Sequence, residues 1–159
     1  MSARDHDRTL APRGREAAPR VGAYMAGHGL IPDRVICSTA VRTRQTWDLV
    51  GAAFERDIPV TYERRIYEAD ADAILGVIRE TSSGAHSLLL IGHNPGMKNF
   101  AELMIATGGI EPRQQLLEKF PTGALAVIDF PIDAWSRLHP HAGRLDRLIT
   151  PRTLDTATD

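Results

Sequence analysis

Short apolar runs alternate with helical stretches along this chain, and that alternation sets the first expectation of its fold. The run Leu88-Leu89-Leu90-Ile91 stops at Gly92-His93-Asn94-Pro95-Gly96, which predicts a buried parallel strand, a sharp turn and a helix over about 97–106. Arg34-Val35-Ile36-Cys37-Ser38 behaves in the same way and leads into a helix over about 40–54, with Trp47, Val50 and Phe54 facing inward. Upstream, Ala17, Val21, Tyr24 and Met25 have helical spacing over 12–27, and Gly27-His28-Gly29 stops that helix. Residues 59–63 form a short strand expected at an edge, because it opens with proline. Asp70 or Asp72 caps a helix through about Arg79 that buries Ile74, Val77 and Ile78. Beyond a polar excursion over 110–119, strands are expected at 124–130 and 144–149, and 153–159 reads as a frayed tail. The pattern is that of one α/β domain over 1–159 with a mostly parallel central sheet.

Two strands therefore end in polar turns that lead into helices. Open α/β sheets bind ligands just beyond the carboxyl ends of their strands, so these turns are where chemistry is expected. His93 stands at one tip, beside a helix start that favours anions. Arg42 falls in the first helical turn after the other tip, and its fork of N–H donors suits a phosphoryl group better than a point charge does. Cys37 and Arg42 are separated by four residues with no glycine among them, which is one short of a cysteine-phosphatase loop. A thiol closing an apolar strand is expected to be a buried small hydrophobe.

The stretch from Ser38 to Thr46, with Arg42 inside it, resembles the S-P-x-x-R-x-x-x-T segment of the histidine phosphatase superfamily, and Gly92-His93-Asn94-Pro95 resembles its second-histidine motif. The likeness is greatest to the small SixA-type phosphohistidine phosphatases. The segment from Asp5 to Gly14 is similar to their stretch around R-P-L-T-x-x-G, Ile66-Tyr67-Glu68-Ala69 to the segment carrying an acid, and Lys119 to Ala124 and Thr150-Pro151-Arg152 to their late strand and tail. The resemblance implies a phosphoglycerate mutase-like three-layer α/β/α sandwich. It also implies a metal-independent phosphatase acting on protein phosphohistidine or a small phosphate ester through a phosphohistidine enzyme intermediate, with no cofactor. It makes Arg42 and His93 half of a phosphate pocket, Arg8 and Asn94 substrate contacts, and Glu68 a possible acid.

The resemblance breaks at one place. The family opens with a short apolar strand ending in Arg-His, whose histidine is the nucleophile; here no apolar run precedes Asp5 and no Arg-His dipeptide occurs. His6, in a polar stretch and away from any predicted strand tip, is a poor substitute. The family's first strand is expected between the strands at 35–37 and 88–91. Its loss would leave unpaired backbone groups at about 1–3 kcal/mol each. A start codon placed too far downstream, or a truncated chain, is the expected explanation. The alternative is an inactive pseudo-phosphatase that still binds phosphate.

Composition changes little in this picture. The 159 residues are 43% hydrophobic and 25% charged, ample for one core. A net charge of −1 gives no bulk attraction to nucleic acid or an anionic membrane. No apolar stretch is long enough to span a bilayer, and no signal peptide is expected. With Cys37 the only cysteine, no intrachain disulfide can form and a cytoplasmic setting is expected. His139 and His141 have no further ligands nearby in sequence, so no metal is expected. Oligomeric state is not legible.

Overall fold

A computed structural model describes residues 2–157, with side chains from 4 to 155. The chain divides into two compact units, residues up to Tyr67 with Ala85–Gly92, and Glu68–Gly84 with His93 onward.

The first unit contains helices α1 (Ser2–His6), α2 (Pro12–Gly27) and α3 (Val41–Gly51) and strands β1 (Arg34–Ser38), β2 (Val60–Glu63) and β3 (Leu88–Ile91). The sheet order is β2-β1-β3 and every pairing is parallel. β1 is central and buried from Val35 to Ser38, which is why its sequence is apolar without alternation. β2 is the edge expected from Pro59, whose carbonyl accepts from Val35 N at 2.9 Å. β3 pairs β1 directly, Arg34 opposite Leu88 and Cys37 opposite Ile91. The expectation of a strand between them is therefore overturned: each edge of β1 already has a hydrogen-bonded neighbour. β3 is itself an edge among the described residues, and its four apolar residues are half-buried where full burial was expected. Asp33 anchors its start, accepting from the backbone N–H groups of His86 (2.7 Å) and Ser87 (3.2 Å).

Helices α2 and α3 pack through small residues. A Cβ at Gly22 would lie 2.5 Å from the Val50 carbonyl oxygen, so only glycine permits this backbone approach. Ala17, Val21 and Met25 on α2 and Trp47 and Val50 on α3 are buried, as the helical spacing predicts, and Phe54 is buried just beyond α3. Each large apolar side chain so buried stabilises by about 1.5–3 kcal/mol before entropy is counted.

The second unit contains α4 (Ala71–Arg79), α5 (Gly96–Met104), α6 (Ile110–Glu118) and α7 (Pro151–Ala157), with strands β4 (Ile105–Gly108), β5 (Leu125–Asp129) and β6 (Gly143–Ile149). Asp70 caps α4, its Oδ1 accepting from Ala73 N at 2.9 Å. Ile74, Leu75, Val77 and Ile78 form the buried face of α4. The sheet order is β4-β6-β5, with β4 parallel and β5 antiparallel to β6. Ala101, Ile105, Leu116, Leu145 and Leu148 make its core.

Three local expectations change here. The helix expected to run to 106 ends at Met104, because Ile105 to Gly108 pair with β6. The polar excursion over 110–119 contains a helix, α6, that buries only Leu116. Where fraying was expected, α7 is helical: Thr150 Oγ1 accepts from Thr153 N at 3.1 Å and Leu154 is buried. Residues 158–159 of that expected tail lie outside the described residues.

Candidate active site

The turn after β1 is built by short side chains. Ser38 and Thr43 are buried; Ser38 Oγ accepts from Ala40 N at 3.3 Å, and Thr43 Oγ1 lies 2.9 Å from both the Ser38 and Ala40 carbonyl oxygens. These bonds hold the chain as it passes from strand to helix and set the direction of the first turn of α3. Arg42 leaves from that turn, half-buried.

Its guanidinium meets residue 5. Arg42 Nη1 donates to the Asp5 carbonyl at 2.8 Å, and Nη2 donates to Asp5 Oδ2 at 3.2 Å. Tyr67 Oη donates to the same Oδ2 at 2.6 Å, and Arg8 Nη1 reaches Oδ1 at 3.4 Å. One carboxylate thus collects a phenol and two guanidinium groups. The Tyr67 bond most of all, then the Arg42 and Arg8 charges, outweigh partial burial and hold the Asp5 carboxyl below the usual carboxylate range.

His6 belongs to this corner too. Its Nε2 is 2.8 Å from Thr39 Oγ1, one residue past the end of β1, and its ring meets Tyr67 edge-on at 5.0 Å. The expectation that His6 lies away from any strand tip is corrected: tertiary folding carries it there, although no sequence pattern around it marks a strand.

Of the residues singled out from sequence, Arg42 and Arg8 are therefore brought together on Asp5. His93 and Asn94 lie in the second unit, at the start of α5. His93 is half-buried and its carbonyl accepts from Met97 N at 2.9 Å. Asn94 is exposed, and its amide is engaged at both ends: Oδ1 accepts from Lys98 N at 3.3 Å and Nδ2 donates to the Phe120 carbonyl. Glu68 is exposed in the turn before α4, with a left-handed φ of 56°. Asp5, His6, Thr39 and Tyr67 were not singled out as site residues. Tyr67 adjoins Glu68 within a motif recognised from sequence, but the 62 positions separating it from Asp5 carry no sequence signal of their contact.

Cys37 is fully buried, and desolvation pushes its thiol up to about 12, so it is held protonated at neutral pH. His139 Nδ1 is engaged by the Arg137 carbonyl at 3.0 Å. Among the described residues no group of three or more His, Cys, Asp or Glu side chains is placed to hold a metal ion. No described helix is long and apolar enough to cross a membrane.

Comparison with known proteins bears on the family and the fold. The family model of the histidine phosphatase superfamily (branch 1) matches residues 2–94. An uncharacterized protein of Mycobacterium leprae is 32% identical over 149 residues, covering 93% of this chain and 89% of that protein. An uncharacterized protein of Mycobacterium tuberculosis is 32% identical over 150 residues, covering 93% and 92%. Among solved structures, a candidate phosphohistidine phosphatase SixA from Nakamurella multipartitia superposes with a TM-score of 0.80 at 30% identity, covering 92% of this chain and 87% of that one. Its counterpart from Agrobacterium tumefaciens gives 0.75 at 31% identity, covering 92% and 86%. A protein histidine phosphatase SixA complexed with tungstate shares the fold, with a TM-score of 0.74 at 20% identity over 94% of this chain and 88% of that one. By its sequence match and its α/β fold, this chain belongs to the histidine phosphatase superfamily.

Proposed function

We propose that this chain binds the phosphoryl group of a phosphorylated substrate at Arg42, as a SixA-like relative acting on protein phosphohistidine, with His93 as a further candidate ligand. The observation that carries the reading is the Arg42 guanidinium, carried on the first turn of α3 just after β1, with Nη1 and Nη2 both presented to oxygen acceptors of Asp5. A guanidinium fork is matched to the oxygens of a phosphoryl group, and its charge offsets the negative charge that builds on them during transfer. Arg8 and Asn94 serve as outer contacts, and Glu68 is the candidate acid. The SixA-like neighbours at 30–31% identity support the choice of substrate.

The full reaction in this reading is metal-independent. A neutral imidazole nitrogen attacks phosphorus, the N–P bond of the substrate breaks, and the departing imidazole takes up a proton. Water then cleaves the new N–P bond, releasing inorganic phosphate and restoring the imidazole. No Arg-His pair occurs in the 159 residues, which favours a second reading of this chain by itself: a phosphate-binding module without turnover.

The test is titration calorimetry with inorganic phosphate beside a release assay on a phosphohistidine peptide with a chelator present. Arg42→Ala is expected to weaken phosphate binding by at least about tenfold, the scale of one lost charged hydrogen bond. Release from the peptide would favour the enzyme, and binding without release would favour the module. Phosphate binding that survives both Arg42→Ala and His93→Ala would sink the assignment.

A further inference from the structure

We propose that Asp5 is a built-in competitor for the phosphate site, its carboxylate occupying the Arg42 guanidinium until a phosphoryl group displaces it. The inference rests on the reading of Arg42 as a phosphate ligand. Three donors converge on this one carboxylate: Arg42 Nη2 at 3.2 Å, Tyr67 Oη at 2.6 Å and Arg8 Nη1 at 3.4 Å. Two cationic groups and a phenol are also the donor set an incoming phosphoryl group would seek. A carboxylate and a phosphate cannot share these donors without like-charge repulsion, so one must leave as the other arrives. The carboxyl is held in its charged form by the same contacts.

The rival role for Asp5 is to orient Arg42 for its ligand. The geometry argues against it, because Arg42 Nη1 is also held by the Asp5 backbone carbonyl at 2.8 Å, a contact made by the main chain and not by the carboxylate. Loss of the carboxylate charge therefore leaves the arginine directed and removes its competitor.

The two roles predict opposite signs. Inorganic phosphate is titrated at pH 7 into the full chain, into Asp5→Asn, and into Asp7→Asn as a control. Asp7 is a neighbouring acid whose side chain is 78% exposed, so its replacement changes net charge equally but frees no arginine. Asp5→Asn is expected to bind phosphate about tenfold tighter, the scale of one competing charged hydrogen bond, while Asp7→Asn stays within about twofold of the parent. Asp5→Ser gives the same direction if the asparagine variant folds poorly, as judged by thermal melting. Binding that is unchanged or weaker in the Asp5 variants overturns the inference, while Arg42-dependent binding by the parent still upholds the phosphate reading. If none of the folded proteins binds phosphate, both fall together.

Discussion

The phenol of Tyr67 donates to the carboxylate of Asp5 across 2.6 Å, and the same oxygen accepts from Arg42. This bond is the foremost cause of the lowered Asp5 pKa. Because the folded value lies below the unfolded one, the contribution to stability is complete above the unfolded pKa and is lost as pH falls through the folded one. Tyr67→Phe is expected to raise the Asp5 midpoint and so shrink the part of the acid-induced stability loss that Asp5 accounts for. A carboxyl-carbon NMR titration of Asp5 in both proteins checks this, and an unmoved midpoint would remove Tyr67 from the account.

Gly96 and Gly76 should respond in opposite directions to alanine. A Cβ at Gly96 would run into the carbonyl oxygen of Ala69, whereas one at Gly76, on the exposed side of α4, meets nothing within 4 Å. Gly96→Ala is expected to cost about 1–3 kcal/mol through overpacking. Gly76→Ala is expected to stabilise by about 0.5–1 kcal/mol by lowering the entropy of the unfolded chain and favouring helix. Urea denaturation midpoints at unchanged slope would decide both.

Cys37 should be silent towards thiol reagents in the folded protein. It is fully buried and its thiol is pushed up to about 12, so neither access nor thiolate is on offer at pH 8. One thiol should appear, at the rate of unfolding, when denaturant is added. Fast labelling of the native chain would show that the turn after β1 opens.

Asn94 ties the start of α5 to the Phe120 carbonyl and caps Lys98 N. Asn94→Ala should therefore cost about 1–2 kcal/mol, since each bond contributes roughly 0.5–1.5 kcal/mol. A melting temperature equal to that of the parent would show that the amide serves only a ligand.

The strands and their tips were legible because their physical causes are local. Val35 to Cys37 and Leu88 to Ile91 are apolar without alternation, and the turns after them carry the polar residues that end strands. The capping of α4 by Asp70 and the inward face of Trp47, Val50 and Phe54 follow from the same short-range rules. β4 escaped because Ile105 and Ala106 continue the helical pattern of α5 and glycines follow at once, and only the pairing of Ile105 to Gly108 with β6 makes a strand of them. α6 escaped because a helix that buries one side chain has almost no apolar periodicity to read.

By itself, then, the sequence determined the α/β class and the family, and it set Arg42 in the first turn of the helix after β1 and His93 in the turn after β3. Each of these rests on contiguous motifs and on side-chain patterns that local geometry dictates. Tertiary structure alone decided that β1 and β3 are direct neighbours, that His6 reaches Thr39, and that Asp5 lies on Arg42 and under Tyr67. Those contacts join residues 33 to 62 positions apart, and charge and hydrogen-bonding capacity in a sequence do not name their partners. Arg8 meets Asp5 locally, but only the closing of the chain around β1 brings that carboxylate within reach of Arg42 and the Tyr67 phenol.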